Sequence, residues 1–341
     1  MKKIYTVVLI IFIVTITYFL INKTDNSVNV NKNDASAFEN IGLLYMKPGI
    51  LHNSEFVFIK DPENVTSTKL EGTDYYFEET IKNKDQFVLP SKTQGKRAYI
   101  DKNNNAQIKK EENGISAIYE DDNIIIKGLN DDLQNSTLVI KDKEDKNVNH
   151  RIQVNGYITQ IHYDSSKRIV YATSDWITED KKNVIYTVNI ENGELNTYHL
   201  EAPGHPRNFI TTNNDELILS SESKLTIFNK NTLSSRYIHL PYTYTRAILE
   251  YKDSYFVVFV EGNIIEYDKN FNVVKEYVNP DSSRITKATI IDKHLYTLSP
   301  GSFTESGKDI MYAFNLEKNM KVSKIILPKK KAFAVDFKII N

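Results

Sequence analysis

Residues 334–340 read Ala334-Val-Asp-Phe-Lys-Ile-Ile340, a β-type run with no partner strands after it in the sequence. Residues 42–46, 55–59 and 65–70 show the complementary defect: three β-type runs in succession, with no leading strand before them. Between the two stretches the chain reads as a series of four-strand units. Their first strands begin near Tyr75, Ser116, Ile158, Arg207, Arg246 and Ile285, about 39–49 residues apart, which is the length of one four-stranded propeller blade. Six complete units fit between residues 75 and 331. A seventh is completed if the tail strand joins the three early strands, and a ring closed in this way leaves no long sheet edge to template aggregation.

The runs inside each unit are rich in Val, Ile, Tyr, Phe and Thr, as strand interiors prefer, and helical periodicity is scarce. The best-repeated feature is the hairpin between the third and fourth strands. Tyr99-Ile-Asp101-Lys-Asn103-Asn-Asn105 matches Tyr267-Asp268-Lys-Asn270-Phe-Asn272 in chemistry. The stretches around Asn189, Asn229 and Asn315 play the same part. Asp and Asn suit this position because their side chains bond the backbone two residues on.

These repeats resemble the degenerate YVTN-type and quinoprotein-like propeller repeats of bacteria over about residues 41–341. The Gly-His…Trp-Asp blade signature is absent. Trp176 is the only tryptophan, so the Trp-rich blade motif of quinoprotein dehydrogenases is absent too, and the resemblance carries no cofactor over to this chain. The expected fold is therefore an all-β, seven-bladed β-propeller closed by the C-terminal strand and three N-terminal strands. A pair of β-sandwich domains is the competing architecture.

At the other end, Lys2 and Lys3 precede residues 4–21, a stretch without charge. As a helix it would span about 27 Å, enough to cross a hydrocarbon core. The lysines would stay inside, which places the bulk of the chain on the extracytoplasmic side of the cell membrane. The small-residue site Ala35-Ser36-Ala37 lies too far beyond this run for the usual signal cleavage. The sequence thus predicts a signal-anchor helix over 1–21, a flexible linker over 22–40 and the propeller over 41–341.

Composition narrows the function. Basic and acidic residues balance at 43 and 44, which argues against a nucleic-acid surface. Without cysteine, disulfides, thiolate metal sites, thiol nucleophiles and a lipid-modified cysteine are excluded. Asp101, Asn103, Asn105 and Glu112 have calcium-loop spacing, but Ala106 replaces the required glycine, and the turn reading also accounts for the copy at Asp268. No metal or catalytic residue is therefore assigned. The seven histidines are scattered singly, with no His-x-x-x-His pair and no Gly-x-Ser-x-Gly elbow.

Propeller geometry indicates where binding would be built. Loops from the fourth strand of one blade to the first of the next share a face with the loops joining second and third strands. The inter-blade loops carry His205, Arg207, Tyr242, Tyr244, Arg246 and Arg284. The longer second-to-third loops, 174–183 and 300–309, carry Trp176 and Phe303. Arg207 and Arg246 share a register, with Arg284 one residue off it, so three guanidinium groups are expected around part of the channel mouth. Arginine and aromatic residues together have the composition of binding hot spots. The expectation is a non-catalytic binding or scaffolding module for a protein or cell-wall partner. One alternative is a propeller enzyme of lyase, hydrolase or lactonase type, using acids and histidine such as Glu79, Glu120, His162 and Asp164. Another is an accessory subunit of a membrane complex.

Overall fold

The computed structural model describes residues 29–30, 36–47, 53–78, 86–91, 93–112, 114–132, 134–175, 182–203, 206–212, 216–221, 223–280 and 283–340. These form seven antiparallel sheets, the blades of an all-β propeller. Blade 1 has the order Phe333–Ile339, Ile41–Met46, Ser54–Asp61, Asn64–Leu70. The strand nearest the C-terminus thus lies innermost beside the first three strands of the ring, in the register Ile41↔Ile339 to Met46↔Phe333. Blade 2 follows with Gln86–Pro90, Lys96–Asp101 and Ala106–Lys110. Its expected leading strand near Tyr75 is reduced to a single bridge, Tyr75↔Ser91.

Blades 3 to 6 each have four strands in sequence order, with the first innermost. Their inner strands are Ile115–Glu120, Tyr157–Asp164, Pro206–Thr211 and Thr245–Tyr251. Blade 7 runs from Lys287–Ile291 through His294–Ser299 and Ile310–Asn315 to Lys321–Ile326, and there accepts a fifth strand, Asn29–Val30.

Each blade is buried on both faces by its neighbours, and apolar clusters fill the blade interfaces. Ile158, Ile161 and Val170 meet Ile126, Leu138 and Ile140 between blades 3 and 4. Between blades 7 and 1, Leu298, Met311 and Ile325 meet Leu43, Val57 and Phe337. The ring is drawn tight where glycine removes a side chain. A Cβ on Gly42 would lie 2.5 Å from the Phe87 ring of blade 2, and one on Gly128 would lie 2.6 Å from Ile158 of blade 4.

The hairpin signal has a uniform physical basis. The third strands end in Asp61, Asp101, Asp142, Asn189, Asn229, Asp268 and Asn315. In every blade this side chain accepts a backbone N–H from two residues further on, such as Asn103 N–H to Asp101 Oδ1 at 2.8 Å and Asn270 N–H to Asp268 Oδ1 at 2.8 Å. The calcium-like spacing at Asp101 is thus a turn. Asp101 also takes Asn105 N–H and Nδ2, while Glu112 pairs instead with Arg151 at 3.1 Å.

The expected linker over 22–40 is corrected in its described part. Asn29–Val30 pairs with blade 7. Phe38 is fully buried against Tyr296, and the Tyr296 hydroxyl donates to Ala37 O at 2.9 Å. Polar composition around residue 30 masked one aromatic that docks. The expected membrane anchor, residues 4–21, lies outside the described residues. Among the described residues no helix is long and apolar enough to cross a membrane.

Candidate functional site

The inner strands of blades 3 to 7 and residues 76–78 of blade 2 line a central channel of about 500 Å³, within the range of small-molecule sites. Its mouth is set by a backbone device repeated around the ring. In blades 3, 4, 5 and 6 the inner strand slips by one residue against the second strand, and the residue left over is Ser116, Thr159, Arg207 or Arg246. Val335 holds that place in blade 1. Thr286 corresponds to it in blade 7, donating both its N–H and its hydroxyl to Leu298 O. The Ser116 hydroxyl donates to Gly128 O and the Thr159 hydroxyl to Thr173 O in the same way. A bulge of this kind re-aims a side chain, here at the entrance of the channel.

Arg207 and Arg246 therefore occupy the same bulge in consecutive blades. Arg284 does not; the corresponding residue is Thr286, two positions on. Arg284 stays in the preceding loop, exposed, with its guanidinium 5.5 Å from the ring centroid of Phe303. The expected ring of three arginines is corrected to two bulge positions plus a separate Arg284–Phe303 pair. The strand pairing fixes the register: Lys287 opposes Leu298 as Ala247 opposes Val258, which makes Thr286 the counterpart of Arg246.

The remaining candidates divide by environment. Tyr242 is half-buried, edge-on to Phe259, and donates its hydroxyl to Glu276 Oε1 at 2.6 Å. Its ring therefore braces the loop within blade 6. Tyr244 is 48% exposed and held at a φ of 59°, a left-handed conformation that is strained for a bulky residue. Trp176 and His205 lie outside the described residues, and for Arg207 only the backbone position is described.

Below the bulges the channel wall gains Gln160, Asn208 and Lys287, which sequence reasoning missed. Each directly follows a bulge residue or its counterpart, the position that Ala247 holds in blade 6. Asn208 Nδ2 donates to Ser220 Oγ and Thr245 O, both at 3.2 Å. Lys287 Nζ lies 3.4 Å from Asp336 Oδ1, and Asp336 Oδ2 accepts Phe77 N–H at 3.0 Å. Asp336 thus ties blades 7, 1 and 2 together at the channel. Deeper in, Ile118, Ile161, Phe209 and Ile248 make the wall apolar. Among the described lining residues are Arg246, Lys287, which is paired with Asp336, the carboxylate Glu78, and several hydroxyl and amide groups. Such a set suits an oxygen-rich or anionic group held by hydrogen bonds.

The acids and histidine considered for catalysis point elsewhere. Glu120 accepts Arg97 at 2.7 Å and Lys143 at 3.1 Å. His162 stacks on Tyr171 with ring centroids 6.1 Å apart. Asp164 pairs with Lys230. Glu79 lies outside the described residues. Among the described residues no histidine lines the channel, and no group of three His, Asp or Glu side chains could hold a metal.

A seven-bladed β-propeller with a polar-mouthed axial channel is the class that these features define. No family model matches the chain, and no curated protein matches it. Among solved structures it is similar to a catalytically inactive virginiamycin B lyase from Staphylococcus aureus with quinupristin. That match has a TM-score of 0.56 at 13% identity, covering 88% of this chain and 99% of that one. It is also similar to a streptogramin B lyase, with a TM-score of 0.53 at 11% identity over 88% and 97% of the two chains. BamB from Moraxella catarrhalis gives 0.51 at 11% identity, over 89% and 99%. The resemblance to YVTN- and quinoprotein-like propellers is met at the level of fold, which is as far as identities this low extend.

Proposed function

We propose that this protein is a non-catalytic binding propeller, held at the outer surface of a membrane by residues 4–21. It engages a protein or cell-wall partner with the face formed by the inter-blade and second-to-third loops. The observation that carries this reading is the mouth of the channel. One bulge position, repeated around the ring, presents Ser116, Thr159, Arg246 and Thr286 there, while Tyr244 and Phe303 remain exposed on the surrounding loops. Polar hydrogen-bonding groups ringed by aromatics form a surface for recognition. Glu120 and Asp164, two of the acids considered for catalysis, are paired with Arg97 and Lys230 of neighbouring blades instead.

A protein of similar fold has been crystallised with a partner: BBS1N in complex with ARL6DN has a TM-score of 0.50 to this chain. The lyases show that this fold also houses chemistry, so the test must separate the two readings. In the full chain, Trp176→Ala, Arg207→Ala and Arg246→Ala are combined, and partner recovery after cross-linking on intact cells is compared with wild type. Loss of one specific partner is expected. Unaltered recovery overturns the site, and a stoichiometric divalent ion in the purified protein favours an enzyme.

A further inference from the structure

On the opposite face of the ring, blade 7 forms a second, smaller cavity of about 180 Å³. It is walled by Lys293 and His294 from the turn between the first two strands, Asn315 and Lys318 from the third-to-fourth hairpin, Lys321 and Ser323 from the outer strand, and the incoming Ser36–Ala37. Among the described residues the lining holds three lysines and no Asp or Glu. Glu317, the acid of the same hairpin, is engaged by Lys252 Nζ at 2.8 Å and by the Tyr251 hydroxyl at 3.2 Å. Asn315 holds the imidazole at the cavity wall. Its Oδ1 accepts the N–H groups of Glu317 and Lys318, so its Nδ2 is the group left to donate to His294 Nε2, at 3.2 Å.

The geometry points to a phosphate-binding pocket at this place, distinct from the channel mouth. Three lysines, Lys293, Lys318 and Lys321, line a small, polar space beside two serines, Ser36 and Ser323. A lysine cluster of this kind recognises a compact, multiply charged oxyanion as point charges, without the planar fork that arginine offers carboxylates. The volume is too small for a drug-sized ligand and fits a phosphate mono- or diester group. Ser36 and Ala37, which follow the edge strand Asn29–Val30 in the chain, form part of the pocket wall. The phosphate is that of a lipid headgroup or of a soluble compound, and the chemistry recognised is the same.

The test uses the full chain in neutral detergent at low salt, with the imidazole resonances of His294 as the reporter. These are assigned by their loss in His294→Asn. Inorganic phosphate and dihexanoyl-phosphatidylglycerol are titrated separately. A saturable shift is expected, weakened about tenfold or more in Lys293→Ala/Lys318→Ala/Lys321→Ala. A control variant with the same charge loss, Lys102→Ala/Lys110→Ala/Lys141→Ala, should respond as wild type does. Saturation by the lipid alone identifies a headgroup site, and saturation by inorganic phosphate, alone or with the lipid, a pocket for soluble phosphate groups. Absence of a saturable shift, or equal weakening by the control, overturns the proposal.

Discussion

Lys230 Nζ lies 3.0 Å from Asp164 Oδ2, with the side chains only 4% and 8% exposed, and this pair joins the turn after the third strand of blade 5 to the inner strand of blade 4. Burial pushes the Asp164 carboxyl up. Hydrogen bonds from Ser166, Lys230 and Lys167 N–H, with the charge of Lys230, outweigh that and hold it at about 2. Removing one partner of a buried pair strands the other, at a cost of about 3–5 kcal/mol. Lys230→Met should therefore lower the unfolding free energy by about that amount, measured by urea denaturation at pH 7. Adding Asp164→Asn should recover more than half of the loss.

The same pair sets an acid dependence. A carboxylate whose folded value lies below its unfolded 3.8 stabilises above that value, and the contribution disappears as pH falls towards 2. Wild type should lose stability between about pH 4 and 2, and Asp164→Asn should show a flatter profile over the same window. Parallel profiles would mean that other carboxylates dominate acid unfolding.

Asp309 bridges the last blade to the closing strand. Its Oδ1 accepts Gly301 N–H at 2.5 Å and its Oδ2 accepts Ala334 N–H at 3.0 Å, in a buried site. Burial raises this carboxyl above its usual range, while the two N–H donors oppose the rise. Asp309→Asn keeps the shape but turns an NH₂ group against one of the two donors. We expect a loss of about 1–3 kcal/mol and faster hydrogen exchange at the Ala334 amide. Unchanged exchange there would show that the strand is held by its ladder with Ile41–Met46 alone.

The turn reading of the Asp101 segment is separable from a calcium reading. Asp268 and Asp101 make matching contacts to Asn272 and Asn105, and hydrogen bonds from those amides hold both carboxyls below the usual range. Asp268→Ala and Asp101→Ala should each lower Tm by about 2 °C. Glu112→Gln and addition of EDTA should leave Tm unchanged. A calcium-dependent rise in Tm that Glu112→Gln abolishes would contradict the turn reading.

Blade spacing and the Asx turns were legible because they are local. Each is written in consecutive residues, and five of the seven turns could be found by eye. Asp61 and Asp142 were missed because the residues after them, Pro62-Glu63 and Lys143-Glu144, depart from the Asn-rich pattern. The channel was less legible. Bulges shift register without a sequence mark, so Arg246 could be placed while Thr286 could not. Residues that appeared functional by type, such as Glu120 and His162, are used between blades, where contacts depend on how two sheets meet. Tyr242 failed for a similar reason: its partner Glu276 lies in another strand.

The same kind of contact made the start of the domain hard to read, and it supplies the sharpest test. A spacer over residues 22–40 predicts that substitutions there leave folding unaffected. The structure instead seats Phe38, 0% exposed, in the cluster shared by blades 7 and 1, with its ring centroid 6.5 Å from that of Tyr296. Truncating a buried phenylalanine removes its transfer energy and leaves a cavity, together about 3–5 kcal/mol. Phe38→Ala should shift the urea midpoint down by a matching amount, and Phe38→Leu, which refills most of the volume, should cost less than half as much. Because this cluster also contains Ala334 and Phe337 of the closing strand, Phe38→Ala should raise hydrogen exchange along residues 334–337. Wild-type stability in Phe38→Ala would return residues 36–40 to the linker and move the start of the domain to Ile41.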